Sequence, residues 1–208
     1  MIHIVDYGLG NMQAFMNMFK RLNLSSVRAR TADDLLGAQK IILPGVGAFD
    51  HAMELLDASG MRPALEQLVI GDKVPVLGIC VGMQILASRS DEGQREGLGW
   101  VPGQVRHFSH APASAALPLP HMGWNDVSPE PAAAPLFKGM EHDARFYFLH
   151  SFYFECANPL HVTARAQYGH DFACGVRADN VWGVQFHPEK SHRWGALLLK
   201  NFAEMSPC

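Results

Sequence analysis

The chain opens on a short apolar run, Ile2 to Asp6, then Gly8 and Gly10, then Met12, Phe15, Met16, Phe19 and Leu22 at helical spacing. A strand, a tight turn and a helix capped near Asn11 follow, because a 3.6-residue period puts those five side chains on one core-facing stripe. Lys40 to Leu43 is a second buried strand ending at Pro44-Gly45-Val46-Gly47, with helical patterns around Asp50 to Ala58 and Arg62 to Ile70. Val74 to Ile79 is a third such run and Val81 to Ala87 reads as the start of a helix, which leaves Cys80 at a strand–helix junction. Short apolar strands alternating with helices predict an α/β fold, a mostly parallel open sheet flanked by helices.

Beyond Gly97 the pattern changes. His107 to Pro120 and Ser128 to Pro135 are rich in Ala, Pro and Ser and read as exposed loops. Between and after them, Gln104 to Phe108, Arg145 to Leu149, His161 to Gln167, Phe172 to Arg177 and Val181 to Phe186 are candidate strands of a more antiparallel C-terminal part. A final helix begins at about Ser191. No internal repeat interrupts the series, and 208 residues fit one domain spanning residues 1–208.

Composition narrows the function classes. With 48% hydrophobic and 18% charged residues the chain has the makings of a packed core. A net charge of −3 gives no pull toward phosphate backbones or anionic membranes, so a small molecule or a protein is the expected partner. No segment approaches the ~20 apolar residues of a membrane helix, and a cytoplasmic protein is expected. Cys80, Cys156, Cys174 and Cys208 are irregularly spaced without a CxxC pair, as expected of reduced thiols and not of a zinc knuckle or disulfide framework. The scattered histidines lack paired ligand spacing, and no metal is expected.

One cysteine stands apart. In Gly78-Ile79-Cys80-Val81-Gly82 it sits between glycines two residues away on either side, directly after a buried strand. That is the pattern of a nucleophile elbow, where a sharp turn needs small neighbours and the following helix aims its first N–H groups at the sulfur, a field that favours the thiolate. His187-Pro188-Glu189, at the end of the strand predicted at Val181 to Phe186, supplies a base with a carboxylate two residues on to orient it. Pro44-Gly45-Val46-Gly47 can turn a backbone N–H toward a developing oxyanion beside the N–H of Val81. A phosphate loop fits it poorly, since neither GxGxxG spacing nor a Gly-Lys-Ser/Thr ending is present.

Five segments, PGVGAF (44–49), GICVGMQIL (78–86), PHMGWN (120–125), FYFLHSF (146–152) and GVQFHPEKS (183–191), together resemble the triad, or class I, glutamine amidotransferases. Within that family the likeness is greatest to the branch that supplies ammonia for histidine biosynthesis, and it runs from Asp6-Tyr7-Gly8 to Asn201-Phe202. The resemblance implies a glutaminase with Cys80, His187 and Glu189 as triad and Gly47 and Val81 as oxyanion hole. Gln84, His150 and Ser151 match positions that line or support the glutamine pocket. It implies no cofactor and a heterodimer with a (β/α)8 barrel cyclase subunit, for which Trp124, Tyr147 and Lys190 match junction positions. Val81 replaces the usual leucine and Phe152 the usual tyrosine, neither a reacting group. A branch serving barrel proteins of surface-sugar pathways shares these stretches, and a stand-alone cysteine hydrolase would share the elbow and triad.

Overall fold

The computed structural model describes residues 1–114, 117–131 and 135–206, so Cys208 and parts of the two Ala/Pro/Ser-rich segments lie outside the described residues. The first half runs β1 (Ile2–Val5), α1 (Met12–Arg21), β2 (Ser26–Ala29), β3 (Lys40–Gly45), α2 (Phe49–Ala58), α3 (Arg62–Glu66), β4 (Val76–Cys80) and α4 (Val81–Gln84). The second half carries β5 (Arg89–Ser90), β6 (Gly103–His107), β7 (His121–Asp126), β8 (Ser128–Pro129), β9 (Arg145–His150), β10 (Phe152–Cys156), β11 (Val162–Tyr168), β12 (His170–Ala178), β13 (Val181–Val184) and α5 (His192–Glu204).

Among the described residues the main sheet follows the order β2-β1-β3-β4-β13-β12-β10-β6-β5, with β11 paired to β12 and β8 to β11. Pairings from β2 through β13 are parallel, and those from β13 through β12 and β10 to β6 antiparallel. The expected α/β class with a more antiparallel C-terminal part is borne out. Every residue of β1, β3, β4 and β13 is buried, which is why these strands read as unbroken apolar runs: a parallel sheet is covered on both faces. β7 and β9 form a separate antiparallel ribbon beside the main sheet. The carboxyl ends of β1, β3, β4 and β13 lie side by side, the place where open α/β sheets build their sites.

α1 is capped as expected, with the Asn11 side chain accepting from the Ala14 N–H at 3.0 Å. The helix expected from Val81 to Ala87 stops at Gln84. The carbonyls of Ile85, Leu86 and Ala87 accept instead from the N–H groups of Leu98, Val101 and Gly99, so a returning segment takes the place of further helical turns. The pattern from Arg62 to Ile70 is helical but changes to a π turn at Gln67–Gly71. β3 continues through Pro44 and Gly45, which pair with Ile79 and Cys80, where the sequence reading ends the strand at Leu43. Phe108 and Ser114, in a segment read as exposed loop, are fully buried, because Ser114 donates to the Tyr168 carbonyl at 2.7 Å and Phe108 packs edge-on to Phe172. β2, β7 and β10 were not legible as strands.

Candidate active site

Cys80 is the last residue of β4 and holds φ 56° and ψ −115°, a backbone that a side-chain-bearing residue adopts only when its surroundings impose it. The imposition is steric. A Cβ on Gly82 would stand 1.9 Å from the Leu43 carbonyl oxygen, and one on Gly78 2.5 Å from the Gly82 oxygen, so β4 and α4 fold back on each other with no room for side chains. Glycine at both positions lets the turn close and leaves Cys80 at its apex. Cys80, Cys156 and Cys174 are free thiols.

The extension of β13 brings in the other groups. β13 ends at Val184, short of the expected Phe186, and in the bend that follows both Gln185 and His187 turn toward Cys80. The Gln185 amide donates to Cys80 Sγ at 3.9 Å, and His187 is hydrogen-bonded to Cys80 through its ring. His187 Nδ1 donates to Glu189 Oε1 at 2.8 Å, which leaves Nε2 as the nitrogen that faces the thiol. Both side chains are buried, at 4% and 6% exposure, so the pair is shielded from water. Burial opposes a charge on His187, but the hydrogen bonds and charges of Cys80 and Glu189 outweigh it and raise its pKa to about 10. The His-Pro-Glu turn is fixed from behind by Ser191, whose hydroxyl donates to the His187 carbonyl at 2.6 Å and accepts from the Tyr147 N–H at 3.0 Å.

A cavity of about 310 Å³ opens over the thiol, and Gly47, Cys80, Val81, Gln84, His150, Ser151, His187 and Lys190 all line it. The structure thus brings eight of the sequence-predicted positions to one space. Glu189 stands behind His187, outside that lining. Gln84 uses its amide N–H groups on Gln185 Oε1 at 3.1 Å and, weakly, on the Phe152 carbonyl at 3.4 Å, so its own oxygen is left as an acceptor. His150 has no free nitrogen: Nδ1 donates to the Phe152 carbonyl at 2.7 Å and Nε2 meets His121 Nδ1 at 2.9 Å. Burial pushes the His121 pKa down to about 4 and, with further opposition from His121 and His187, that of His150 down to about 3, so both rings are neutral. His150 therefore braces the Ser151–Phe152 backbone and is not itself a donor to the cavity.

Trp124 and Tyr147 are cross-strand partners on the ribbon beside the cavity mouth, with ring centroids 6.3 Å apart. Lys190 Nζ lies 5.7 Å from the Tyr147 ring, and Trp124, 42% exposed, stacks on His192. These three positions share one surface. Two polar residues of the site are not among the sequence-predicted positions: Gln185, buried beside the thiol, and Glu92, in the cavity lining. Gln185 was findable, since the strand expected through Phe186 gives it period-two spacing from His187. Glu92 was not: it reaches the cavity from a turn, its N–H donating to the Ser90 hydroxyl at 3.1 Å and its carboxylate accepting from the Phe49 N–H at 2.8 Å. Among the described residues no group of three or more His, Cys, Asp or Glu side chains could hold a metal ion. Nor is any described helix long and apolar enough to cross a membrane.

A strained cysteine between glycines, a buried imidazole and a carboxylate at the carboxyl edge of a mostly parallel sheet define a class. The family model for class-I glutamine amidotransferases matches residues 3–205, and the chain belongs to that family. Among its relatives, the protein from Bdellovibrio bacteriovorus named imidazole glycerol phosphate synthase subunit HisH is 65% identical over 99% of this chain and all of its own length. A HisH subunit from Leptospira borgpetersenii is 49% identical and the HisH 2 of Pseudomonas aeruginosa 42%, each over 99% of this chain and their full length. The fold matches a crystal structure of a glutamine amidotransferase with a TM-score of 0.75 at 20% identity, covering 98% of this chain and 97% of the other.

Proposed function

We propose that the chain is the glutaminase subunit of an imidazole glycerol phosphate synthase. In this reading it acts in the cytoplasm as one amidotransferase domain over residues 1–208, paired as a heterodimer with a HisF-like (β/α)8 barrel cyclase in histidine biosynthesis. The observation that carries the chemistry is the succession Cys80, His187, Glu189, with Cys80 and His187 lining the cavity and Glu189 behind the imidazole. Full-length identity to HisH subunits supports the pathway.

In this reading His187 Nε2 takes the Cys80 thiol proton as Sγ attacks the side-chain carbonyl carbon of glutamine, and the C=O π electrons move onto oxygen, facing the N–H groups of Val81 and Gly47. The tetrahedral species collapses, the C–N bond breaks, and His187 Nε2–H protonates the departing nitrogen, leaving a glutamyl thioester and ammonia. Water then adds to the thioester with His187 as base, the C–S bond breaks, and glutamate and the thiol are released. Glu189 keeps the ring in the tautomer that presents Nε2 and stabilises the imidazolium. Gln84 Oε1 and the Glu92 carboxylate supply acceptors for the substrate's α-ammonium group, and the backbone at Ser151 supports the other end. No cofactor enters the scheme. Ammonia is mostly protonated near neutral pH and only the neutral form is nucleophilic, so a closed junction around Trp124, Tyr147 and Lys190 serves to pass it on unprotonated.

The test is glutamate release by the purified chain, alone and with its organism's barrel cyclase plus the cyclase's nucleotide ligand. Strong stimulation is expected, and Cys80→Ala should abolish glutamine hydrolysis while ammonia-driven synthesis by the complex survives. Stimulation only by a surface-sugar barrel homologue would move the chain to that pathway. Full activity with no partner would make it a stand-alone hydrolase.

A further inference from the structure

Between Pro44 and Phe49 the backbone changes character abruptly. Pro44 and Gly45 are buried in β3, whereas Val46, Gly47 and Ala48 are exposed, and Phe49 is buried again at the start of α2. The buried end is jammed. A Cβ on Gly45 would lie 2.4 Å from the Gly82 nitrogen and 3.0 Å from the Tyr7 hydroxyl, so this backbone rests directly on the elbow that carries Cys80. The exposed end is open: Gly47 has φ +88°, and a Cβ there would meet nothing within 4 Å. Glycine is needed at Gly45 for space and at Gly47 for conformation. At the far end the Phe49 N–H is held by Glu92.

Besides its pairing with β4, the jammed end is held by one long-range side-chain hydrogen bond. Tyr7, 4% exposed, donates its hydroxyl hydrogen to the Pro44 carbonyl at 2.8 Å, across 37 residues. Pro44 has no N–H, so its carbonyl is the one polar group it contributes. That carbonyl belongs to the peptide plane two planes upstream of the Gly47 N–H. With the first plane pinned by Tyr7 and Gly45 confined by Gly82, the remaining freedom lies in the rotations about Val46 and Gly47. Burial, with the nearby Cys80 adding to it, holds the phenol well above its usual pKa range, so the donor proton is always present.

We propose that Tyr7 is a positioning residue for the oxyanion segment: its hydroxyl anchors the fixed end from which Val46 and Gly47 turn a backbone N–H toward the reacting carbonyl. The proposal rests on the glutaminase reading given above and assigns no contact between Tyr7 and substrate. It separates two steps that a general disturbance would affect together. Alkylation of Cys80 needs the thiol and His187 alone. Addition of the thiol to an aldehyde analogue of glutamine, glutamate γ-semialdehyde, forms an S–C bond as the C=O π bond breaks and the thiol proton passes to His187, leaving on a tetrahedral carbon an oxyanion that needs the oxyanion N–H groups.

The experiment compares the full chain and Tyr7→Phe, with the stimulating partner present for both, in glutamine hydrolysis, aldehyde inhibition and the rate of Cys80 alkylation by iodoacetamide. Expected for Tyr7→Phe are a kcat lowered about 10- to 100-fold, KM within about twofold, aldehyde inhibition weakened about 10-fold and alkylation within about twofold of the parent. Tyr7→Leu, which also lacks the hydroxyl but packs differently, should show the same split. An unchanged kcat overturns the proposal, as does alkylation that falls in proportion to kcat, since Tyr7 would then act on the thiol or on the fold. Failure of the glutaminase reading is visible separately, as glutamine hydrolysis that survives Cys80→Ala.

Discussion

At the scale of single residues the site is held by groups whose protons are assigned by their neighbours. The clearest case is the pair His121 and His150, opposite one another on β7 and β9 and joined Nδ1 to Nε2 at 2.9 Å. His150 donates to the Phe152 carbonyl, so its Nε2 must accept, His121 Nδ1 must donate, and His121 Nε2 takes the Asn125 amide at 3.3 Å. Each ring is neutral because burial opposes its charge, with pKa values lowered from 6.5 to about 4 and about 3. The sign follows from proton counts. Below pH 6.5 the unfolded chain binds protons that the folded chain refuses, so this contribution is intact above pH 6.5 and is lost as pH falls toward 4. Each histidine adds up to about 1.4 kcal/mol per pH unit to the slope. His121→Gln should remove one such increment from stability measured by urea unfolding between pH 4.5 and 6. An unchanged slope would mean that His121 is already protonated in the folded chain. The meeting of Cys80, His187 and Glu189 was legible because each sits in a short motif whose neighbours are its structural cause. The His121–His150 pair was not, since 29 residues separate the two rings and only strand register brings them together.

At the scale of elements the decisive object is the β4–α4 elbow against the end of β3. A helix of one turn suffices there because its task is to turn the chain under Gly45, and the segment returning at Leu98 to Val101 takes over the next carbonyls. The two glycines around it make opposite predictions. Gly82→Ala places a Cβ against the Leu43 backbone, which cannot yield without unpairing β3 from β4, so the variant should be recovered largely insoluble or with its melting temperature lowered by ten degrees or more. Gly47→Ala meets no atoms but must hold φ +88°, at a cost of about 1–2 kcal/mol. It should fold, alkylate normally at Cys80 and lose most glutaminase turnover. Melting curves and alkylation rates distinguish the two outcomes, and a soluble, active Gly82→Ala would refute the steric account of the elbow. The parallel strands were legible because burial on both faces leaves an unbroken apolar run. β2 was not, since in Ser26–Ala29 Ala29 alone is fully buried. β7 was not, because its large apolar residues Met122 and Trp124 point outward while His121 points in.

That inversion matters at the scale of the whole molecule. The parallel half carries Cys80, His187 and the Pro44–Gly47 segment, and the antiparallel half adds the ribbon that walls the cavity. Val46, Met122, Trp124 and Leu149 are all large, apolar and 37–64% exposed, with Met122 and Leu149 directly paired across the ribbon and Val46 and Leu149 lining the cavity. Met1, Leu36, Ile70 and Leu160 are exposed as well but stand apart along the chain, whereas these four meet around the cavity and the ribbon beside it. Apolar residues gathered on one rim are what a protein partner covers. The proposed barrel subunit would therefore seat on this rim, closing the cavity against water where ammonia leaves it. Met122 tests this well, since at 64% exposure it is not held in the core and does not line the cavity. Met122→Lys places a charge where the partner would have to desolvate it, and affinity for the cyclase measured by titration calorimetry should fall about 10- to 100-fold. Melting temperature and Cys80 alkylation of the isolated chain should stay as in the parent. Unchanged affinity would put the partner elsewhere on the surface and leave the exposed rim without a role in ammonia transfer.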